Sequence, residues 1–517
     1  MTDILIGVGG TGAKIVEAVM VMLAAGLGPR TLHVGLVDQD SSNGNVARTK
    51  DLIGTYRTVR EQWQSQSRSS AIDWKSIDLC RTEVVELFGR DNPIWVPGGD
   101  QSTIRGLLGQ NLDGARQDLF DLLFTPGEEE QDLMLGEGYR GRAHVGAAAL
   151  IARLSDPTNP LSSRLGELMA GGGGREQVRV FLAGSVFGGT GAAGFPTIAR
   201  ELHRIRSDKD FTNKGRVAIG GALMLPYFGF ASPDKDEKSR VVTSDELLPK
   251  AQLALEHYDT LFQTEAAFER FYLVGWDRFF QLGYHKAGNE GQRNPPLLPE
   301  LFAAAAALDF MRTDEAAFAR SGPAERIRVS ARQQRQTLWS DFPLPEDEAR
   351  DKLGQLFRFA LYWRHTVTDL TEERRPWIGK GNWTQQLDQK AARQEAENGL
   401  RALGDLLDKI LHYAAAIEDR APGDWERSPW RLSQLLSPDH EPTPTEPVRL
   451  VARHPEAHDI FSQLIRTDEG NPVERDANRV YEDLENDAAK FASGEHKGLG
   501  RVVAAAYNAA SVNGAAA

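Results

Sequence analysis

The apolar run from Val178 to Ala183 breaks off abruptly in Gly184-Ser185-Val186-Phe187-Gly188-Gly189-Thr190-Gly191, and a helical pattern through Ile198 and Leu202 follows. A buried strand, a glycine-rich turn and a helix in that order make an anion site. Glycine lets backbone approach a ligand closely, and the helix N-terminus offers unpaired N–H groups and the positive end of the dipole. The same sentence is written a second time at the start of the chain. Asp3 to Ile6 reads as a short strand, Gly7-Val8-Gly9-Gly10-Thr11-Gly12 as the turn, and Ala13 to Ala25 as the helix, ending at Gly26. Two such units confine the fold to a class in which parallel strands deliver their turns to one edge.

The order of the remaining elements agrees. Thr31 to Val37 is the next strand and ends on Asp38-Gln39-Asp40, polar groups at the carboxyl end where open α/β sheets bind ligands. Residues 41–135 read as helices and loops over the sheet: a polar stretch at Arg60 to Ser70, a helix near Gln110 to Leu123 and an acidic loop at 127–130. Gly136 to Arg142 is a glycine- and arginine-bearing turn and Ala143 to Leu154 a small-residue helix. Strands are expected at Arg216 to Leu225 and Phe271 to Trp276, and helices at Lys250 to Phe262 and from Pro299 to about Arg312. Residues 231–248 are charged. Strand and helix thus alternate from residue 3 to about 315, the doubly wound α/β pattern. Beyond Pro323, short strands are read at Arg326 to Arg332 and Gln336 to Trp339. Helical spacing follows over Glu346 to Thr366, Gln385 to Glu418 and Val473 to Ala492, and a frayed tail over Ala504 to Ala517.

Composition narrows the function classes. With 517 residues the chain is long enough for two or three domains, and 41% hydrophobic with 26% charged residues is a soluble globular balance. A net charge of −13 argues against broad nucleic-acid or anionic-lipid binding. A single cysteine, Cys80, leaves no internal disulfide and suits the cytosol. No secretory signal and no apolar stretch of membrane-spanning length is read, so a cytoplasmic protein is expected. His33, His144, His203 and His257 lie without ligand spacing, so no transition-metal site is inferred.

Gly7-x-Gly9-x-x-Gly12, followed at a distance by Asp38, also matches the dinucleotide fingerprint of an NAD- or FAD-dependent oxidoreductase. Against that reading stands the repetition of Gly9-Gly10-Thr11-Gly12 as Gly188-Gly189-Thr190-Gly191. A dinucleotide site needs one such turn, whereas a triphosphate can lie between two. A P-loop is excluded, because neither turn carries Gly-Lys-Ser/Thr at its spacing.

On these residues the chain resembles the tubulin/FtsZ superfamily, and most closely its divergent bacterial tubulin-like members. Phe187-Gly188-Gly189-Thr190-Gly191-Ala192-Ala193-Gly194 is similar to the family's Gly-Gly-Gly-Thr-Gly-Ser-Gly loop, with Phe187 in place of a glycine and Ala192 in place of the serine. Gly7 to Gly12 matches its first phosphate loop, Asp40 a usually acidic position after the second strand, and Arg142 to Ala147 the place of a turn facing the γ-phosphate. Leu255 to Thr260 followed by Tyr272 to Arg278 is similar to the family's helix-strand pair ending in Asn-Asp-Arg, over a resemblance that covers residues 1–315. The implied architecture is a Rossmann-like tubulin/FtsZ GTPase domain over 1–295, a central helix over 296–320, and a second domain with short strands and a mainly helical C-terminal region over 321–517.

The resemblance implies GTP or GDP with Mg²⁺ as ligands and assembly of the chain with itself, head to tail. It also brings membrane remodelling or another cytoskeletal role into view, with a membrane adaptor or effector as a further partner. Backbone N–H groups of Gly9, Gly10, Gly12, Gly188, Gly189 and Gly191 would hold phosphates, with hydroxyls from Thr11 and Thr190. Asp38 or Asp40 would hold Mg²⁺ through water, each having the alternative reading of a strand-end turn residue. Arg142 is either a phosphate counter-charge or a solvated helix-start arginine. The family's guanine-reading Asn falls on Trp276, which cannot serve, and Asn294 is the substitute considered. Asp309 and Asp314, with Glu315, are the acidic candidates for activating water on a neighbouring subunit's nucleotide, although no Asn-x-Asp-x-x-Asp pattern follows. For Tyr227, Phe228 and Phe230, core packing is preferred over a place in the ribose or base pocket. A non-polymerising nucleotide-binding scaffold is the alternative function.

Overall fold

The two apolar runs become neighbouring strands. In the computed structural model the described residues are 1–40, 42–65, 71–98, 102–127, 130–156, 158–174, 176–230, 247–264, 268–276, 280–282, 294–314, 317–318, 327–332, 338–364, 390–419, 429–430, 432, 464–471, 473 and 495–512. β1 (Thr2–Val8) and β5 (Val178–Ser185) are buried over nearly their whole length, as strands covered on both faces must be. They pair in parallel, Ile4 opposite Val180 and Gly7 opposite Ala183. On its other edge β1 pairs with β2 (Thr31–Val37), which pairs in turn with β3 (Glu83–Glu86) and β4 (Ile94–Trp95). On the other side β5 is followed by β6 (Val217–Met224), β8 (Arg270–Trp276) and β10 (Ile327–Arg332). β7 (Phe228–Phe230) and β9 (Phe280–Leu282) form a separate parallel pair.

The sheet order is β10-β8-β6-β5-β1-β2-β3. From β1 the chain builds outward through β2 and β3, and from β5 it builds the opposite way. The order therefore reverses between β1 and β5, and a crevice opens at the carboxyl ends of those two strands. The protein is an α/β structure with a parallel central sheet.

Helices cover both faces. α1 (Gly9–Ala24) is buried on almost every side and lies against α2 (Gly44–Ser65) and the central helix. Two short helices follow, α3 (Ile104–Leu108) and α4 (Gly114–Leu123), then α5 (Ala143–Leu154), α6 (Pro160–Gly174), α7 (Gly189–Ser207) and α8 (Leu247–Thr264). The central helix α9 (Leu298–Arg312) begins at Leu297, with Pro299 in its first turn and Glu300 accepting the Leu297 N–H. Among the described residues, α10 (Glu346–Tyr362), α11 (Lys390–Asp419) and α12 (Leu499–Ala509) join the same hydrophobic core as the sheet. Trp63 donates its indole N–H to the Gly399 carbonyl at 3.1 Å, and the Tyr507 hydroxyl donates to the Ala25 carbonyl at 3.3 Å.

Several expectations need correcting. The tail from Ala504 is not frayed through its first turns. α12 packs Val503, Ala506 and Tyr507 into the core because small alanines allow close approach, and Gln355 and Arg358 donate to the carbonyls of Tyr507 and Ala510. The polar stretch from Arg60 is the end of the 22-residue α2, whose Leu52, Tyr56, Val59 and Trp63 form a buried stripe at helical spacing. Trp339 starts a 3₁₀ turn, Trp339–Asp341, rather than ending a strand. The central helix spans Leu298–Arg312 within the expected 296–320. Asp277 and Arg278, Glu315, most of 231–248 and Val473 to Ala492 (save Val473) lie outside the described residues.

Candidate functional site

Both glycine runs turn out to be the first turns of helices rather than loops ahead of them. α1 begins at Gly9 directly after β1, α7 at Gly189 with three residues between it and β5, and neither has a side-chain cap. In α7 the first helical bond is that of the Ala192 N–H to the Gly188 carbonyl at 2.8 Å, so the preceding N–H groups of the turn have no helical acceptor. The two N-termini converge. A methyl group placed on Gly9, whose φ is +74°, would lie 2.9 Å from the Gly191 nitrogen. One placed on Gly12 would lie 2.6 Å from the Ala183 carbonyl oxygen, so α1 can cross β5 at this height only as glycine. Two dipoles and two sets of backbone donors thus face one space. That space is a narrow cleft of about 120 Å³, smaller than the ~300–1,000 Å³ of typical small-ligand sites and open to solvent at its mouth.

Acidic groups from the end of β2 close one side. The Thr190 hydroxyl donates to Asp38 Oδ1 at 2.8 Å, and Asn43 Nδ2 reaches the other oxygen at 3.4 Å. The second glycine turn is therefore tied to the acidic strand end across the cleft. Burial raises the Asp38 carboxyl to about 7, an effect that the Thr190 bond only partly offsets and the neighbouring Asp40 reinforces. Asp40 accepts the Ser42 N–H at 3.0 Å and the Ser42 hydroxyl at 2.6 Å, a local turn that holds it at the rim. Over the cleft lies the turn Gly138-Tyr139-Arg140-Gly141, with positive φ at Gly138, Arg140 and Gly141. Its Tyr139 hydroxyl donates to Gln39 at 3.2 Å, and a methyl on Gly189 would touch Gly141 at 3.0 Å.

The opposite wall is aromatic and charged. Phe187, the residue standing where the resembling loop has glycine, packs edge-on to Phe228 and Tyr227 with centroids 5.3 and 6.0 Å away. Tyr227 is buried core, as preferred, whereas Phe228 borders the cleft. Behind them Lys14, the sixth residue of α1, pairs with Glu300 of the central helix, and both side chains are buried. The Tyr227 hydroxyl donates to Glu300 at 2.5 Å. Arg48 grips Glu17 with two 2.6 Å bonds and donates to the Asn294 carbonyl at 2.7 Å, which fixes the segment leading into the central helix.

Of the residues singled out in the sequence, Gly9, Gly10, Thr11, Asp38, Asp40, Gly188, Gly189, Thr190, Gly191 and Asn294 all border this cleft. Gly12 sits just behind, under β5. Of the two readings of Arg142 the structure bears out the helix-start one: it stands at the start of α5 and pairs with Glu130, 3.5 Å distant, while Arg140 borders the cleft. The left-handed backbone at Arg140 and Gly141 shifts the turn by two residues, which no spacing rule reveals. Asp309 and Asp314 lie at the other end of the sheet. Asp309 accepts from Tyr272 and pairs with Arg270 at 3.3 Å beside the start of β8, and Asp314 is exposed just past the central helix. Trp276 is packed against Phe280 and Phe302. Sequence reasoning missed Lys14, Asn43, Asn45 and Tyr139. Lys14 had a signal, a lone cation inside the apolar run from Ala13 to Val19.

The donor set suits a phosphorylated ligand, with its backbone N–H groups and hydroxyls on one side. No group of three or more His, Cys, Asp or Glu among the described residues could hold a metal by itself. Asp38 and Asp40 fit only a hard cation whose remaining ligands are phosphate and water, the pattern of Mg²⁺. Among the described residues no helix is long and apolar enough to cross a membrane. Compared with family models, with curated proteins and with solved structures, the chain matches none, so its functional reading rests on the geometry of this cleft.

Proposed function

We propose that the cleft binds a nucleoside triphosphate, GTP by the resemblance, and that the chain is a tubulin/FtsZ-like protein assembling head to tail. The observation that carries the reading is the convergence of two uncapped helix N-termini, at Gly9 and Gly189, where the strand order reverses. A single such terminus would serve a dinucleotide. Here the Asp38 carboxylate that would meet a ribose in that case is bound to Thr190 of the second turn instead.

The residues then divide the work. Backbone N–H groups of the two first turns hold phosphate oxygens, and Thr11 and Thr190 add hydroxyl donors. Asp38 or Asp40 would hold Mg²⁺ through water, and the ion would supply neutralisation of the phosphate charge. Phe228 and Leu247 offer apolar surface at the cleft wall for the nucleoside. Asp309 and Asp314 are out of reach of the cleft in their own chain. In a head-to-tail stack they would face the next subunit's nucleotide, and hydrolysis would then rest on positioning water at that junction. A role in membrane remodelling, or a membrane adaptor or effector, belongs to the same proposal.

The first test is the identity of nucleotide released by denaturing the gently purified protein. Guanine nucleotide supports the reading; NAD or FAD overturns it. Light scattering with GTP and Mg²⁺ then separates the polymer from a non-polymerising nucleotide-binding scaffold, which would bind without a rise in scattering.

A further inference from the structure

Lys14 is an unusual object. It is a lysine in the first turns of a buried helix, with 2% of its side chain exposed, and it nevertheless borders the cleft. Among the described residues its ammonium forms one ion pair, with Glu300 on a different helix. An ammonium has three N–H donors, so donor capacity remains beyond that one contact. The rings of Tyr227 and Phe228 lie under it at 5.9 and 5.8 Å.

Glu300, by contrast, is fully engaged. It receives the Tyr227 hydroxyl, the Leu297 N–H at 2.9 Å and Lys14, and it does not border the cleft. Tyr227 in turn lies beside the Thr11 side chain of the first glycine turn. The cluster Thr11, Tyr227, Glu300 and Lys14 therefore joins the anion cradle to the first turn of the central helix. Burial pushes the Lys14 ammonium down and the Glu300 carboxyl up, each partly restored by the other. A buried cation that faces a cleft suited to anions, with spare donors and a fixed counter-ion behind it, is placed to act as a binding group as well as a strut.

We propose that Lys14 is a ligand-binding cation whose place is kept by Glu300: an anionic oxygen of the cleft's ligand shares or takes over the ammonium from that carboxylate. Resting on the nucleotide reading above, it adds a charged side chain to a site otherwise made of backbone, and it sets the affinity lower than a bare cation would. Glu300 acts as a built-in competitor. It lets the empty cleft exist without an uncompensated buried charge.

The two members of the pair then have opposite effects on affinity. With GTP as the probe in equilibrium binding, Lys14→Met weakens binding roughly ten-fold or more, since it removes a charge-assisted bond. Glu300→Gln, which keeps shape and the capping oxygen but frees the cation, tightens binding by about three-fold or more. Tyr227→Phe, removing one donor from Glu300 so that the carboxylate holds Lys14 harder, weakens binding by about three-fold and still reads out if Glu300→Gln does not fold. Inorganic triphosphate and guanosine, used as separate probes, tell whether a phosphate or a base oxygen is taken, since only one of them should feel Lys14→Met strongly. If all three variants lower the melting temperature but leave affinity within two-fold, or if Glu300→Gln weakens GTP as Lys14→Met does, the pair is structural and the proposal is overturned. If the wild-type protein itself binds none of the probes, the nucleotide reading fails, and this inference with it.

Discussion

The two ends of the one parallel sheet are built on opposite terms. At the amino ends of the strands, charges are matched within the chain. Arg179 on β5 pairs with Asp3 on β1, at 2.6 and 3.0 Å to its two oxygens, Arg270 pairs with Asp309, and Arg312 pairs with Glu348 at 2.6 Å. At the carboxyl ends the accounts are left open. Two helices start without caps, Asp38 is buried with a raised carboxyl, and Lys14 has donors left over. A stability-driven fold would satisfy these groups. Uncapped donors, Asp38 and Lys14 meet around the crevice between β1 and β5, which suits that surface to meeting a ligand.

That contrast can be broken at either end. The largest effect is expected from Arg179→Met at the amino end. It strands Asp3 as an uncompensated buried charge and should cost ~3–5 kcal/mol in chemical denaturation while leaving GTP affinity unchanged. A change in affinity would mean the two ends are not independent.

Next comes the pH dependence of Asp38. Its folded value, about 7, lies above its unfolded value near 3.8. The stability it contributes is therefore fully present below pH 3.8 and is lost as pH rises toward 7, because the unfolded chain releases this proton first. Relative to Asp38→Asn, the wild-type protein should lose about 4 kcal/mol across that window and level off above it. Denaturant titrations of both proteins at matched pH check this, and parallel curves would remove Asp38 from the account.

Gly9→Ala forces a side chain into a backbone at φ +74° and against Gly191. It should cost ~1–2 kcal/mol of stability from the left-handed strain alone. Nucleotide binding should fall much further, since the two N-termini are pushed apart, and isothermal titration measures the difference. The smallest effect is expected from Thr190→Val. Loss of its bond to Asp38 should destabilise by ~1 kcal/mol and weaken triphosphate binding by a similar amount. Normal affinity in this protein would show that the second turn contributes through its backbone only.

Much of this architecture was legible because it depends on local rules. The strands β1 and β5, their glycine turns and the helices behind them follow from apolar runs that stop at glycine. Asp38 and Asp40 were visible as polar groups ending a strand. α2 was not delimited within the helices and loops read over 41–135, because its arginine-rich surface dilutes the Leu52, Tyr56, Val59, Trp63 stripe. α12 was misread because the small and polar residues after Ala504 look like a solvated tail, although Leu499, Val502, Val503, Ala506 and Tyr507 form a buried face. What buries them is the neighbouring helix α10 and the end of α1, far away in the chain.

By itself the sequence determined that two strand-glycine-helix units exist and that each ends in a place suited to an anion. It did not determine that they would stand side by side. That followed from the pairing of β1 with β5 across 176 residues of chain, as between Asp3 and Arg179, and from the reversal of strand order there. The tertiary structure also decided which arginine borders the cleft, since a left-handed turn swings Arg140 in and Arg142 out. It decided that Lys14 meets Glu300, two charges 286 positions apart that no spacing rule connects. Local chemistry is written in neighbouring residues, whereas the meeting of charges in a low-dielectric interior depends on which elements pack together.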